Sequence, residues 1–149
     1  MATRSTIAME QPDGRVMQIY CHWDGYLDHN GRILLENYQD RAKVLALMLL
    51  GDISSLREDI GMAHSFDDRY ADSDPRSRWC VSYGRDRGET GATARTFANF
   101  AEYAKNHQHE EYEYILRQVD GKPVWFVLCF DTEEYEPLLQ VIERNSIEL

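Results

Sequence analysis

The chain reads as a single α+β domain, a mostly antiparallel sheet of about five strands with helices packed on one face. Three observations predict it. Two strand–turn–strand units are legible, at 4–23 and 111–130. The predicted order of elements is β-β-α-α-β-α-β-β-α, and hairpins of this kind imply antiparallel pairing. At 149 residues, 43% hydrophobic and 28% charged, the chain matches one ordinary domain with a core of its own.

The elements follow in order. Arg4 to Glu10 alternates small or apolar with polar residues, as a strand does. Pro12-Asp13-Gly14 is a turn, because Pro presets φ and Gly accepts a positive one. Arg15 to Trp23 supplies the second strand through Val16, Met17, Ile19, Tyr20, Cys21 and Trp23. Asp24-Gly25 breaks it. Gly31 to Tyr38 is helical, and Asp40 caps a second helix, Arg41 to Leu50, with Gly51 at its C-terminal end. Val44, Leu45, Met48 and Leu49 recur at helical spacing and are expected to face the core. Asp52 to Leu56 is read as the start of a short helical turn. Arg57 to Arg78, with Asp67, Asp68, Asp72 and Asp74, few apolar residues and Pro75, is read as a long polar loop. Trp79 to Tyr83 is a short strand, and Gly84 to Gly91 a charged glycine-rich loop. Phe97 to Lys105 has helical periodicity. Glu111 to Val119 alternates, Asp120-Gly121 is a strong hairpin signal, and Pro123 to Phe130 is the most apolar strand and so expected to be central. Pro137 opens a last helix that runs to about Asn145, with Leu138, Leu139, Val141 and Ile142 inward.

Composition excludes several function classes. The net charge is −10, from 26 acidic and 16 basic residues, which argues against direct nucleic-acid binding and against an anionic membrane surface. It suits solubility, or attraction to a basic protein partner. No stretch approaches the ~20 apolar residues of a membrane span, and the N-terminal residues carry no apolar signal region, so the cytoplasm is the expected compartment. Cys21, Cys80 and Cys129 are odd in number and lack CxxC spacing, which predicts buried reduced thiols. No cofactor motif is present: there is no GxxxxGK, no GxGxxG after a strand and no GxSxG.

Two segments carry candidate chemistry. Cys21-His22-Trp23-Asp24-Gly25-Tyr26, with His29 and Asn30 after it, falls where the chain leaves a strand. His22 and Asp24 project to one side of extended chain, so Asp24 is placed to orient His22 as an acid or base. The plainer reading gives both residues local turn bonds and packs Trp23 in the core. His22, Asp24 and His29 have no recognised metal-ligand spacing, so no metal is assigned. The second segment is Tyr83-Gly84-Arg85-Asp86-Arg87-Gly88-Glu89. Arg85 and Arg87 have the chemistry to grip a carboxylate or phosphate, while the plainer reading is an internal Arg–Asp–Glu network. The acidic residues Glu110 to Glu113 and Asp131 to Glu136 need no more than strand and helix ends to explain them. His107 and His109 fall at a polar helix end and are expected to be solvated.

Several segments together resemble a known family: Thr3-Arg4-Ser5-Thr6-Ile7-Ala8, Tyr20 to Tyr26, Gly31-Arg32-Ile33-Leu34-Leu35-Glu36-Asn37-Tyr38, Gly51-Asp52-Ile53-Ser54-Ser55-Leu56 and Tyr83 to Glu89. They are similar to a family of small uncharacterised proteins from bacteriophages, prophages and plasmids. The resemblance covers roughly Thr3 to Glu89; beyond that only the strand-turn-strand character matches. It brings no mechanism. It implies the setting of phage accessory genes, many of which bind and redirect host proteins. The expectation is therefore an accessory protein that binds a bacterial host or defence protein. Its contact residues would be Trp23, Tyr26, Asn30, Arg32, Arg85, Asp86, Arg87 and Glu89, or an acidic face. The alternative is a small enzyme or ligand-binding domain for a phosphorylated or carboxylated molecule, held by Arg85 and Arg87, with His22 and Asp24 as catalytic candidates.

Overall fold

The computed structural model describes residues 2–149. Its elements are β1 (Ser5–Glu10), β2 (Val16–Cys21), α1 (Arg32–Asn37), α2 (Arg41–Leu50), β3 (Ile53–Ser55), β4 (Val81–Ser82), β5 (Arg95–Phe97), α3 (Phe100–Asn106), β6 (Tyr112–Val119), β7 (Lys122–Cys129), β8 (Glu136–Pro137) and α4 (Leu138–Arg144). The fold is α+β, built on one mixed sheet. The sheet has eight strands, ordered β4-β3-β2-β1-β6-β7-β8, with β5 also paired to β2. About five were expected; the surplus is short strands of two or three residues, too brief to leave a periodic signal. The β1–β6 and β2–β3 pairs are parallel and the others antiparallel.

Both hairpins form as the sequence specifies. β1 and β2 pair along their full length, and Gly14 takes φ +92° in the turn between them. β6 and β7 meet across Asp120 and Gly121, at φ +52° and +79°, the left-handed pair of a type I′ turn. Asp40 caps α2 by accepting from the Ala42 amide at 3.0 Å.

Strand alternation divides the core in two. Ile7, Met9, Ile19, Tyr114, Leu116, Trp125 and Val127 point to one face and pack against α1, α2 and α4. Ala8, Val16 and Ile115 point to the other, where Tyr103 of α3 lies with Phe97, Phe100 and Phe126. Helices therefore cover both faces, not one. Each fully buried aliphatic side chain contributes roughly 1.5–3 kcal/mol.

Other expectations shift for local reasons. Within Asp52 to Leu56 the chain forms a strand, Ile53–Ser55, and not a helical turn, because Ile53 pairs with both Cys21 and Ser82. α3 begins after Asn99, whose side chain caps it at the Glu102 amide (2.9 Å), and Phe97 belongs to β5. β7 is flanked by the two-residue β8, so it lies next to an edge; its apolar run reflects cover on both faces. In α2 the buried positions are Val44, Leu47 and Met48, and Leu49 is exposed; in α4 Leu139 is likewise exposed. Cys21 and Cys80 are buried free thiols and Cys129 is half-buried.

The 57–78 segment is a closed loop. The Asp59 amide donates to Arg78 (3.0 Å) and the Cys80 amide to Asp59 (2.9 Å), so its two ends are tied. Gly61, at φ +68°, lies against Trp79 so closely that a Cβ would fall 2.2 Å from the indole.

Candidate functional site

The first loop leaves the sheet at Cys21. Asp24 turns at φ +56°, and Gly25 follows where a Cβ would meet Ser5 Cβ at 2.7 Å and the Thr3 carbonyl at 2.9 Å. From below, the buried Tyr114 hydroxyl donates to the Gly25 carbonyl at 2.7 Å. The loop shape is thus fixed by the sheet beneath it.

Within that frame the expected His22–Asp24 couple does not form. His22 Nδ1 bonds the Tyr20 hydroxyl at 2.7 Å, and its ring meets Trp23 edge-on, centroids 4.8 Å apart. Asp24 contributes its carbonyl to the Asn30 amide (3.2 Å). Asn30 is no contact residue: it is fully buried, and its side chain donates to Ser5 Oγ (3.2 Å) and Cys21 Sγ (3.3 Å). Burial pushes the Cys21 thiol up to about 12, against the pull of that Asn30 bond. Arg32 lies 3.5 Å from Asp28 on the surface. Trp23 and Tyr26 are exposed, at 43% and 41%, where packing of Trp23 in the core was the plainer expectation.

The second loop is organised around a buried carboxylate. Asp86 has a fully buried side chain and accepts from Arg85 Nε (2.9 Å), Arg85 Nη2 (3.1 Å), the Ser82 amide (2.8 Å) and the His64 amide (3.2 Å). Arg85 also donates to the Ile60 and Cys80 carbonyls, both at 2.8 Å. Four of its five N–H donors are used inside the protein. Arg85 and Asp86 are therefore engaged in holding the loop, the internal network that was the plainer expectation. Arg87 stays outside. Its Nε donates to Glu89 (2.8 Å), and its guanidinium covers the Phe66 ring at 4.5 Å and the Tyr83 ring at 4.8 Å.

Phe66 joins the two loops. It packs on Tyr83 at 5.5 Å on one side, and on the other lines a groove of about 420 Å³ with Trp23, Asp24, Asp67, Asp68 and Arg69. Trp23 and Arg87 are exposed here, while Phe66 and Tyr83 are half-buried between them; aromatic and arginine side chains are the residue types that anchor protein interfaces. Sequence reading missed Phe66 because the polar run around it masks one aromatic.

Charge is distributed unevenly. Residues 101–149 hold 11 acidic and 4 basic side chains, so most of the net −10 lies in the C-terminal third, away from the two loops in sequence.

Two further clusters have no counterpart in the sequence-level expectations. The 57–78 loop borders an open cavity of about 450 Å³ lined by Arg57, Arg69, Arg76, Arg78, His64 and Trp79, with Glu58, Asp68 and Asp72 among them. Arg57 Nε and His64 Nε2 are buried there without a hydrogen-bond partner. On the other side of the sheet, His107 is buried rather than solvated. Its Nδ1 bonds the Tyr103 carbonyl at 2.6 Å, its Nε2 contacts Glu113, and His109 Nδ1 stands 3.4 Å from the other Glu113 oxygen. Burial opposes the charged form of His107, but the Glu113 carboxylate and the Tyr103 and Ala104 carbonyls outweigh it and raise its pKa. The signal available was an apolar helix face carrying Tyr103 one turn before His107.

Compared with known proteins, the chain matches no family model, no curated protein and no solved structure.

Proposed function

We propose that this chain is a phage-type accessory protein that acts by binding a bacterial host or defence protein in the cytoplasm. The observation that carries the reading is the surface groove where half-buried Phe66 joins exposed Trp23 to Tyr83 and Arg87, rimmed by Asp24, Asp67 and Asp68 with Arg69 among them. Aromatic and arginine anchors with an acidic rim suit a partner with a basic, partly apolar face. The phage setting rests on the resemblance alone. The net charge of −10 favours fast encounter with a basic surface, at a rate that falls with salt. No helix of the described residues is long and apolar enough to cross a membrane.

The test is a pull-down from bacterial lysate with tagged protein, beside Trp23→Ala and Arg87→Ala variants. Arg85 is left intact, because removing it disturbs the loop itself. A stoichiometric partner held by wild type, rebound in purified form and lost with Trp23→Ala supports the proposal. Capture of nothing at low salt, or equal capture by both variants, refutes it.

A second reading has its own observation, the arginine-lined cavity with two unpartnered buried nitrogens. It suits a small anionic ligand, as the alternative function requires, but in the 57–78 loop and not on Arg85 and Arg87. Thermal shift with inorganic phosphate and with a nucleoside monophosphate tests it. A ligand at 100 times its Kd stabilises by about 2.7 kcal/mol, or roughly 5–11 °C for a domain this size.

A further inference from the structure

We infer that His107, His109 and Glu113 form a binding site for a zinc-class divalent cation. The three residues come from one short stretch that the fold bends back on itself. His107 follows the last turn of α3, His109 lies in the connection, and Glu113 is the second residue of β6. Glu113 shares a strand face with Ile115, and that face is the one α3 covers. One ligand atom from each residue lies within 4.8 Å of the other two.

The geometry is that of a metal-binding imidazole with its support. His107 donates Nδ1–H to the Tyr103 carbonyl, and its ring stacks on Tyr103 at 4.3 Å. That bond orients the ring and points Nε2 toward Glu113, as backbone carbonyls do for ligating histidines. Tetrahedral zinc sets its ligand atoms about 3.3 Å apart. His109 Nδ1 and Glu113 Oε2 already stand at 3.4 Å.

Burial makes the arrangement consequential. The side chains of His107 and Glu113 are 1% and 5% exposed. Buried charges are paired or coordinate metals. The arginine that lines the same groove is otherwise engaged: Arg117 lies over the Phe100 ring at 3.6 Å and pairs with Glu10 at 3.3 Å. His107 answers one carboxylate oxygen, and the other faces His109, which is 67% exposed. A cation at this cluster serves all three residues and answers the buried carboxylate. Two imidazoles and one carboxylate suit zinc, cobalt or nickel, and not magnesium or calcium, which prefer all-oxygen sets. Three protein ligands leave one tetrahedral position. His107 and His109 both line a groove of about 550 Å³ with Glu133, Glu134 and Tyr135, so that position is supplied by water or a groove carboxylate.

The test uses the full chain, stripped with EDTA and titrated with Co2+ while its visible d–d absorption is followed, then competed with Zn2+, Mg2+ and Ca2+. The expected result is one saturable site per chain with tetrahedral absorption, displaced by Zn2+ and unaffected by Mg2+ or Ca2+. His109→Ala removes an exposed residue without disturbing the core, and should weaken binding about tenfold or more, while His29→Ala leaves it unchanged. Glu113→Gln should also abolish the signal; if it does not fold, His109→Ala decides. No saturable absorption, equal loss with His29→Ala, full affinity in His109→Ala, or displacement by Mg2+ overturns the inference.

Discussion

Replacing Asp86 with Ala tests whether the 84–89 loop is held from inside. The substitution removes both oxygens that bind Arg85 and the acceptor for the Ser82 and His64 amides. It leaves a guanidinium that is only 17% exposed without its counter-charge. Breaking a buried pair in this way costs about 3–5 kcal/mol. With a urea m-value of about 2 kcal/mol/M the midpoint should fall by roughly 1.5–2.5 M, and Tm by roughly 6–20 °C. Asp86→Asn keeps one acceptor oxygen and should lose less. Arg87→Ala is the internal comparison, because its pair with Glu89 is exposed and worth about 0–1 kcal/mol. Urea unfolding followed by tryptophan fluorescence reads all three, since His64 and Trp79 pack together in the loop that Asp86 anchors. If Asp86→Ala costs no more than Arg87→Ala, the buried network does not hold this loop, and the case against an external role for Arg85 falls with it.

Three other expectations follow from packing and burial. Gly61→Ala puts a Cβ 2.2 Å from Trp79 at a φ of +68°, and should destabilise by more than the roughly 1–3 kcal/mol of a strained backbone alone; a Tm within 2 °C of wild type would contradict the tight contact. Tyr114→Phe leaves the Gly25 carbonyl without its 2.7 Å donor and should cost about 1–3 kcal/mol, read by chemical unfolding. Burial pushes Cys80 upward, Cys21 to about 12 and Cys129 to about 11, so at pH 8 each thiol is held in its unreactive form. Ellman's reagent should label at most the half-buried Cys129 within minutes, and all three thiols in guanidinium; immediate labelling of three in native protein would be inconsistent with that core.

The hairpins, the Asp40 cap and the inward faces of most strands were legible because each is a local signal. Asp120-Gly121 demands its own turn whatever surrounds it. β3 was not legible, because its strand character comes from Cys21 and Ser82, each about thirty residues away. The place of α3 on the far face was hidden for a related reason: a helix records which side is apolar, not which side of a sheet receives it. In the candidate site, the residue types of the 84–89 loop suggested either an external anion grip or an internal network. Only the positions of Ile60, Cys80 and His64 decide for the network at Arg85 and Asp86. His107 looked solvated amid Lys105, Gln108 and Glu110, and its burial depends on Glu113 arriving from the next strand.

The parallel pairing of β1 with β6 has a consequence for synthesis. β1 is buried on both faces, and one of its edges belongs to a strand that begins at Tyr112. At about 5–20 residues per second, a ribosome delivers β6 roughly 5–20 s after β1. Until then the nascent chain holds a hairpin with an open edge at Ser5–Met9, the kind of template that recruits other strands. A product that stopped anywhere before β6 would keep that edge permanently, so the half of the chain that builds the first hairpin depends on the half that follows it.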